Sequence, residues 1–224
     1  MHSIKSGGEP DMDPFFHGQV EYRDANITYD YTDEEMQERT KCAEDAEYFI
    51  EKYCKFKNEM GIYELVNLRP YQRDIIHMAT DEIYDPKHNA IVFKNPKLAF
   101  LQARQTGKTT TTIGIIIHRL LFTKQVTAMA VANKRSTSEE IMRKFKEVLK
   151  ELPFFLKPGI VNLSMKKIRF DNGSILNTAA ASKTPATGDS LQLLYIDECA
   201  LIPSNIIDDY WASVYNTMNS FYNA

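Results

Sequence analysis

The stretch that most restricts how this chain can fold is Leu98-Ala99-Phe100-Leu101-Gln102-Ala103-Arg104-Gln105-Thr106-Gly107-Lys108-Thr109-Thr110. It reads as a short apolar strand, a polar loop, and the first residues of a long apolar helix. A phosphate-binding loop works in that strand–loop–helix setting. The helix N-terminus offers unpaired backbone N–H groups and the positive end of a dipole, which together suit a polyphosphate. Gly107 lets the backbone approach phosphate oxygens, Lys108 can neutralise the β- and γ-phosphates, and the Thr109 hydroxyl can ligate Mg²⁺. The usual pattern begins with a glycine where this chain has Gln102.

A second stretch, Leu191-Gln192-Leu193-Leu194-Tyr195-Ile196-Asp197-Glu198, is mostly apolar and ends in two acids. A strand with carboxylates at its C-terminal end delivers them to the edge where α/β sheets bind ligands. Asp197 is then a Mg²⁺ ligand, and Glu198 is placed to orient or deprotonate an attacking water. A phosphate loop followed about 90 residues later by an acidic strand, across an alternating β/α pattern, points to NTP hydrolysis.

Between and before these stretches the chain is organised by helix caps and turns. Residues 1–31 mix Gly, Pro, Asp and aromatics without period and read as a tail or irregular arm. Thr32 to Glu35 is a capping box. Its helix should run to about Lys57 within an N-terminal helical segment, residues 32–62, that packs on the body. Met36, Cys42, Ala43, Ala46, Phe49, Ile50 and Tyr53 are its expected buried stripe. Pro70 suits the first position of a helix continuing through Met78 and Ile83, with Tyr71 and Gln72 at its start. An aromatic face followed by a side-chain amide can stack on and hydrogen-bond an adenine. Ile91 to Phe93 is a short strand. The helix after Lys108 is apolar nearly all round, and Val126 to Ala132 suits a strand buried on both faces of a parallel sheet. Ser136 to Glu139 is a second capping box, whose helix buries Ile141, Met142, Phe145, Val148 and Leu149 and ends at Pro153. Asp171-Asn172-Gly173-Ser174 is a hairpin turn between strands at Lys167–Phe170 and Ile175–Asn177.

Bulk properties narrow the class further. No apolar run reaches the length of a membrane span, and Cys42, Cys54 and Cys199 have neither zinc-site nor disulfide-framework spacing. Charge is uneven: residues 1–62 hold 7 Lys/Arg against 15 Asp/Glu, residues 63–224 hold 20 against 15. A mildly basic body is compatible with a nucleic-acid partner, and no basic–aromatic cluster marks where DNA would bind.

The motifs taken in order resemble the large terminase subunit of tailed bacteriophages, the ATPase motor that packages DNA, in its contractile-tail version. The carrying residues are Leu68 to Ile76, Arg104 to Thr110, Leu152 to Val161, Asp171 to Ser174 and Tyr195 to Pro203, spanning roughly residues 45–215. The resemblance implies an α/β fold: a P-loop NTPase (RecA-like) core over residues 63–224, with a mostly parallel central sheet flanked by helices and an N-terminal helical arm. It implies ATP and Mg²⁺ as cofactors, with Lys108, Glu198 and Arg104 catalytic and Thr109 and Asp197 at the metal. Tyr71, Gln72, Arg104, Gln105, Thr106, Gly107, Lys108, Thr109 and Thr110 would bind the nucleotide. Such terminases commonly lack the loop's first glycine and carry an arginine inside it, as Arg104 stands here, proposed to act in cis on the γ-phosphate.

The resemblance further implies double-stranded DNA, a portal protein and a small terminase subunit as partners, a homo-oligomeric ring, and work in the cytoplasm of an infected bacterium. Two departures stand out. Many relatives carry Arg-Gly shortly before the acidic strand, where this chain has Thr187-Gly188. Nothing after Pro203 resembles the family's coupling motif or its nuclease domain, so no nuclease activity is expected of this chain. The coupling-motif strand would lie between the phosphate-loop strand and the acidic strand. The sheet is therefore expected to have a gap at its centre, with the missing strand supplied by a second polypeptide. The alternatives are a helicase-like P-loop ATPase, or a non-catalytic split-gene fragment that needs that second chain.

Overall fold

At the heart of the protein lies β6 (Thr127–Ala132), a strand whose six residues are all buried. Apolar on both faces, it can only be an interior strand of a sheet covered on both sides. The computed structural model describes residues 13–87, 89–103, 105–182 and 191–219. In it β6 pairs in parallel with β9 (Ile175–Ala180) on one side and β10 (Leu193–Ile196) on the other. Beyond β9 follow β8 (Lys167–Phe170) and β7 (Gly159–Leu163), both joined by antiparallel pairing, and then β1 (Arg23–Asp24), parallel to β7. The expected hairpin turn joins β8 to β9. Gly173 takes φ +83°, and Asn172 accepts from the Ser174 N–H at 2.9 Å while its amide donates to Leu120 and Thr123 carbonyls. That second pair of bonds ties the turn to the C-terminal end of α4 (Lys108–Phe122).

Successive strand residues point to opposite faces, so β6 serves two cores. Ala128, Ala130 and Ala132 face α4 and α5 (Arg135–Glu151), whose Ile113, Ile116, Ile117, Leu120, Ile141, Met142 and Phe145 are almost wholly buried. Small residues on the strand let these large helix side chains approach closely. Met129 and Val131 face the other way, against Tyr210 of α6 (Ser204–Asn219). Each fully buried Ile or Leu contributes about 1.5–3 kcal/mol over leaving it in water. Among the described residues no helix is long and apolar enough to cross a membrane.

Several local expectations give way to tertiary context. The first helix is two, α1 (Asp33–Glu44) and α2 (Ala46–Tyr53), because Asp45 leaves helical geometry and caps α2 by accepting from the Tyr48 N–H at 2.9 Å. The Thr32–Glu35 capping box forms as expected. The break resets the helical phase, so Cys42, Ala46, Phe49 and Ile50 are buried whereas Met36 and Ala43 are exposed. After α2, β2 (Lys55–Lys57) pairs with β3 (Tyr63–Leu65). The Pro70 helix, α3 (Pro70–Thr80), stops before Ile83, which joins β4 (Glu82–Asp85) in a hairpin with β5 (Ala90–Phe93). The second capping box does not form. The helix starts one residue before Ser136, Ser138 donates to the Arg135 carbonyl, and Glu139 pairs with Arg135.

Two further departures concern the ends of the sheet. The described part of the N-terminal arm is anchored at one end: Tyr22, Ile27 and Tyr29 are buried, Arg23 pairs with Asp171 at 2.8 Å, and Lys157 donates to the Glu21 carbonyl. At the other end β10 is the last strand. The strand expected at Leu98–Leu101 is not one: residues 97–103 have no regular structure, and Leu101 is fully exposed. A strand exists only by pairing, and this segment has no neighbour in the sheet.

Candidate functional site

The loop before α4 turns on two left-handed residues, Gln105 at φ +59° and Gly107 at φ +77°. Glycine adopts that region freely, whereas Gln105 pays a small conformational cost of about 1–3 kcal/mol. Thr106 Oγ1 donates to the Ala103 carbonyl at 3.0 Å, which closes the loop on itself. Gly107 is the N-cap of α4 and carries no capping side chain. The first N–H groups of a helix lack intrahelical acceptors, so this end suits an anion. Lys108, Thr109 and Thr110 are half-buried in the first turn, and Gln105 is exposed. Arg104 lies outside the described residues, as does the Thr187-Gly188 pair.

Helix α3 closes on this loop. The Tyr71 hydroxyl donates to the Thr106 carbonyl at 2.6 Å. The Gln72 amide donates to Thr111 Oγ1 at 2.9 Å and to the Thr106 carbonyl at 3.4 Å, and its oxygen accepts from the Arg69 N–H at 2.9 Å.

The acidic stretch arrives from β10. The Asp197 N–H continues the ladder by donating to the Val131 carbonyl at 2.8 Å, and its side chain is buried. Glu198 then adopts φ +51°, a second strained non-glycine position, and its carboxylate lies 3.7 Å from the Lys108 ammonium. The Tyr195 hydroxyl donates to Asp197 Oδ1 at 2.8 Å and lies near the Thr109 side chain. Burial and the neighbouring Asp197 charge hold the Tyr195 phenol well above its ordinary pKa, so it stays protonated and remains a donor.

Lys108, Thr109, Asp197 and Glu198 thus meet at one end of the sheet, about 90 residues apart in sequence. Tyr195 belongs with them although nothing in its type marks it. The available signal is its spacing: two residues before Asp197, it shares that side chain's face of the strand. The oxygen set of Thr109 and Asp197 fits Mg²⁺, which takes few protein ligands and keeps several waters. A cavity of about 540 Å³ opens elsewhere, between the α1–α2 junction, α3, the later turns of α4 and Leu193, and has no part in this constellation.

Comparison with known proteins gives a family and a fold. A sequence model of the family described as terminase large subunit, T4likevirus-type, N-terminal, matches residues 99–215. The fold is similar to the crystal structure of the HK97 bacteriophage large terminase, with a TM-score of 0.61 at 19% sequence identity. That match covers 80% of this chain and 35% of the HK97 chain.

Proposed function

The chain belongs to the terminase large subunits of the T4-like type, through their N-terminal part, and on that premise we propose that it is the ATP-hydrolysing portion of a motor that drives double-stranded DNA into a procapsid. The observation that carries this reading is the meeting of Lys108 and Glu198 at 3.7 Å, which joins the phosphate loop to the acidic strand. Lys108 and the α4 N-terminus bind the β- and γ-phosphates. Thr109 and Asp197 hold Mg²⁺, which when bound offsets charge on the phosphates. Glu198 orients and deprotonates the attacking water, and Arg104 stabilises charge that develops on the γ-phosphoryl group. The half-buried ring of Tyr71 stacks on the base. In the working motor the partners are DNA, portal and small subunit, the assembly is a ring, and the setting is the infected host's cytoplasm.

Steady-state ATP hydrolysis with Mg²⁺ tests the reading, with Lys108→Ala and Glu198→Gln as controls. Turnover that both substitutions abolish supports it; absence of nucleotide binding by the unsubstituted chain overturns it. One observation favours a second reading. With β10 at the sheet's end and residues 98–103 unpaired, the loop lacks a strand behind it. A chain in this state binds nucleotide without turnover until a further strand pairs with β10. Binding that Lys108→Ala removes, with no hydrolysis, is the outcome that selects it.

A further inference from the structure

Resting on the reading that this chain acts on double-stranded DNA, we propose that the duplex lies on the face of β7, β8 and β9 turned away from α5, with Lys167 and Arg169 on its phosphates. Pairing partners share a face of a sheet. The registers of Arg169 with Ile175 and Asn162, and of Lys167 with Asn177, therefore put these five side chains on one side. Ile168, Phe170 and Leu176 fill the opposite side, in the core with α5. On the first side α6 covers β6 and β10, where Tyr210 meets Met129 and Val131. Asn162 and Arg169 stay exposed, and Lys167 and Asn177 are half-buried.

The charge of this face is unbalanced. On the neighbouring α5 the cations are engaged with carboxylates: Arg135 with Glu139, Arg143 with Glu147, Lys144 with Glu140 and Lys150 with Glu21. Lys167 and Arg169 have no ion pair among the described residues. Between residues 159 and 180 the sole acid is Asp171, which Arg23 neutralises at 2.8 Å. Lys166 adds an exposed cation in the turn before β8, where the Ser164 hydroxyl accepts from the Lys166 and Lys167 N–H groups. Two strand residues span about 6.6 Å, so Lys167 and Arg169 form a row of positive charge on a paired backbone. The other members of the face, Asn162, Asn177 and Ile175, include no aromatic ring. Single strands are held by stacking bases on aromatic rings, whereas a duplex offers phosphates that Lys, Arg and Asn contact without reading sequence. The Thr178 N–H donates to the Lys166 carbonyl, so the row begins toward the C-terminal end of β9, the sheet edge that carries Asp197. Three strand spacings, about 14 Å, separate β8 from β10, which sets the duplex beside the nucleotide site and not in it.

The test is equilibrium binding of a fluorescent DNA duplex of mixed sequence over a range of salt. It compares the unsubstituted chain, Lys167→Gln with Arg169→Gln, and Arg143→Gln with Lys144→Gln, which removes the same charge from α5. The β8 pair of substitutions should weaken binding about tenfold and reduce the slope of log K against log salt by about 2. The α5 pair should leave binding within about twofold. Asn162→Lys, at an exposed position, adds a cation to the face and should tighten binding and raise the slope by about 1. Equal affinity and slope in the unsubstituted and β8-substituted chains overturn the inference, as does a preference for single-stranded DNA that the β8 substitutions remove. ATP binding is read in parallel and should be unchanged by the β8 substitutions. An unsubstituted chain that binds ATP but no duplex overturns this inference alone. One that binds neither overturns it together with the reading it rests on.

Discussion

The ammonium of Lys108 and the carboxylate of Glu198 lie 3.7 Å apart, each about one-third exposed. A phosphate entering the loop must compete with Glu198 for the lysine. Partly exposed ion pairs of this kind contribute at most about 1 kcal/mol. Glu198→Gln should therefore bind nucleotide as tightly as the unsubstituted chain or up to about fivefold more tightly. Its hydrolysis should fall by at least about a hundredfold. Titration with a fluorescent nucleotide at low and high salt, alongside single-turnover hydrolysis, checks both halves. Weaker binding by Glu198→Gln would show that the carboxylate helps to hold the ligand.

Tyr195 holds one of the residues assigned to the metal by donating to Asp197 Oδ1 at 2.8 Å, near the Thr109 side chain. Tyr195→Phe keeps the ring and removes only the bond to Asp197. The Mg²⁺ concentration for half-maximal hydrolysis should rise about tenfold, as for other partners that orient metal ligands. Unfolding temperature should change little. A Mg²⁺ dependence identical to that of the unsubstituted chain would remove Tyr195 from the site.

Glu38 anchors the junction between α1 and α2. Burial opposes its ionisation, but hydrogen bonds from Lys52 at 2.9 Å, Tyr53 at 2.7 Å and Tyr48 at 2.8 Å prevail and bring its pKa down to about 2 from 4.5. A carboxylate whose pKa is depressed by folding contributes stability above its unfolded pKa. That contribution is lost as pH falls from about 4.5 through about 2. Glu38→Gln should lower stability by about 1–3 kcal/mol at neutral pH and flatten the acid limb in that window. Thermal unfolding followed from pH 7 to pH 2 gives the comparison.

Gly114, in the middle of α4, faces Ile50 of α2. A Cβ there would stand 2.9 Å from Ile50 Cγ1 and 3.0 Å from Cδ1, and Ile50 is fully buried. Gly114→Ala gains about 1 kcal/mol of helix propensity but incurs about 1–3 kcal/mol of overpacking. A net loss of up to about 2 kcal/mol is expected in urea denaturation. Ile50→Ala, costly in the unsubstituted chain, should cost about 1 kcal/mol less when combined with Gly114→Ala. Additive effects would mean that the two helices adjust their spacing.

Much of the fold was legible because it is written in short-range patterns. The apolar run of α4, the stripe of α5, the doubly buried β6 and the Asp171–Ser174 turn follow from side-chain period and turn chemistry, which neighbouring residues decide. The catalytic candidates were legible for the same reason: Lys108 and Thr109 open a helix, and Asp197 and Glu198 end a strand. What required tertiary structure was every feature defined by a distant partner. Leu98–Leu101 has the composition of a strand and no pairing neighbour, whereas Arg23–Asp24 has no strand pattern and pairs with β7. Ile83 left the helical pattern for a hairpin because Val92 lay opposite it. The partners of the Gln72 amide, Arg69, Thr106 and Thr111, are likewise visible only in the folded chain. Helical period and capping are local properties of a sequence, but strand pairing and the direction of a buried amide depend on groups brought together by folding.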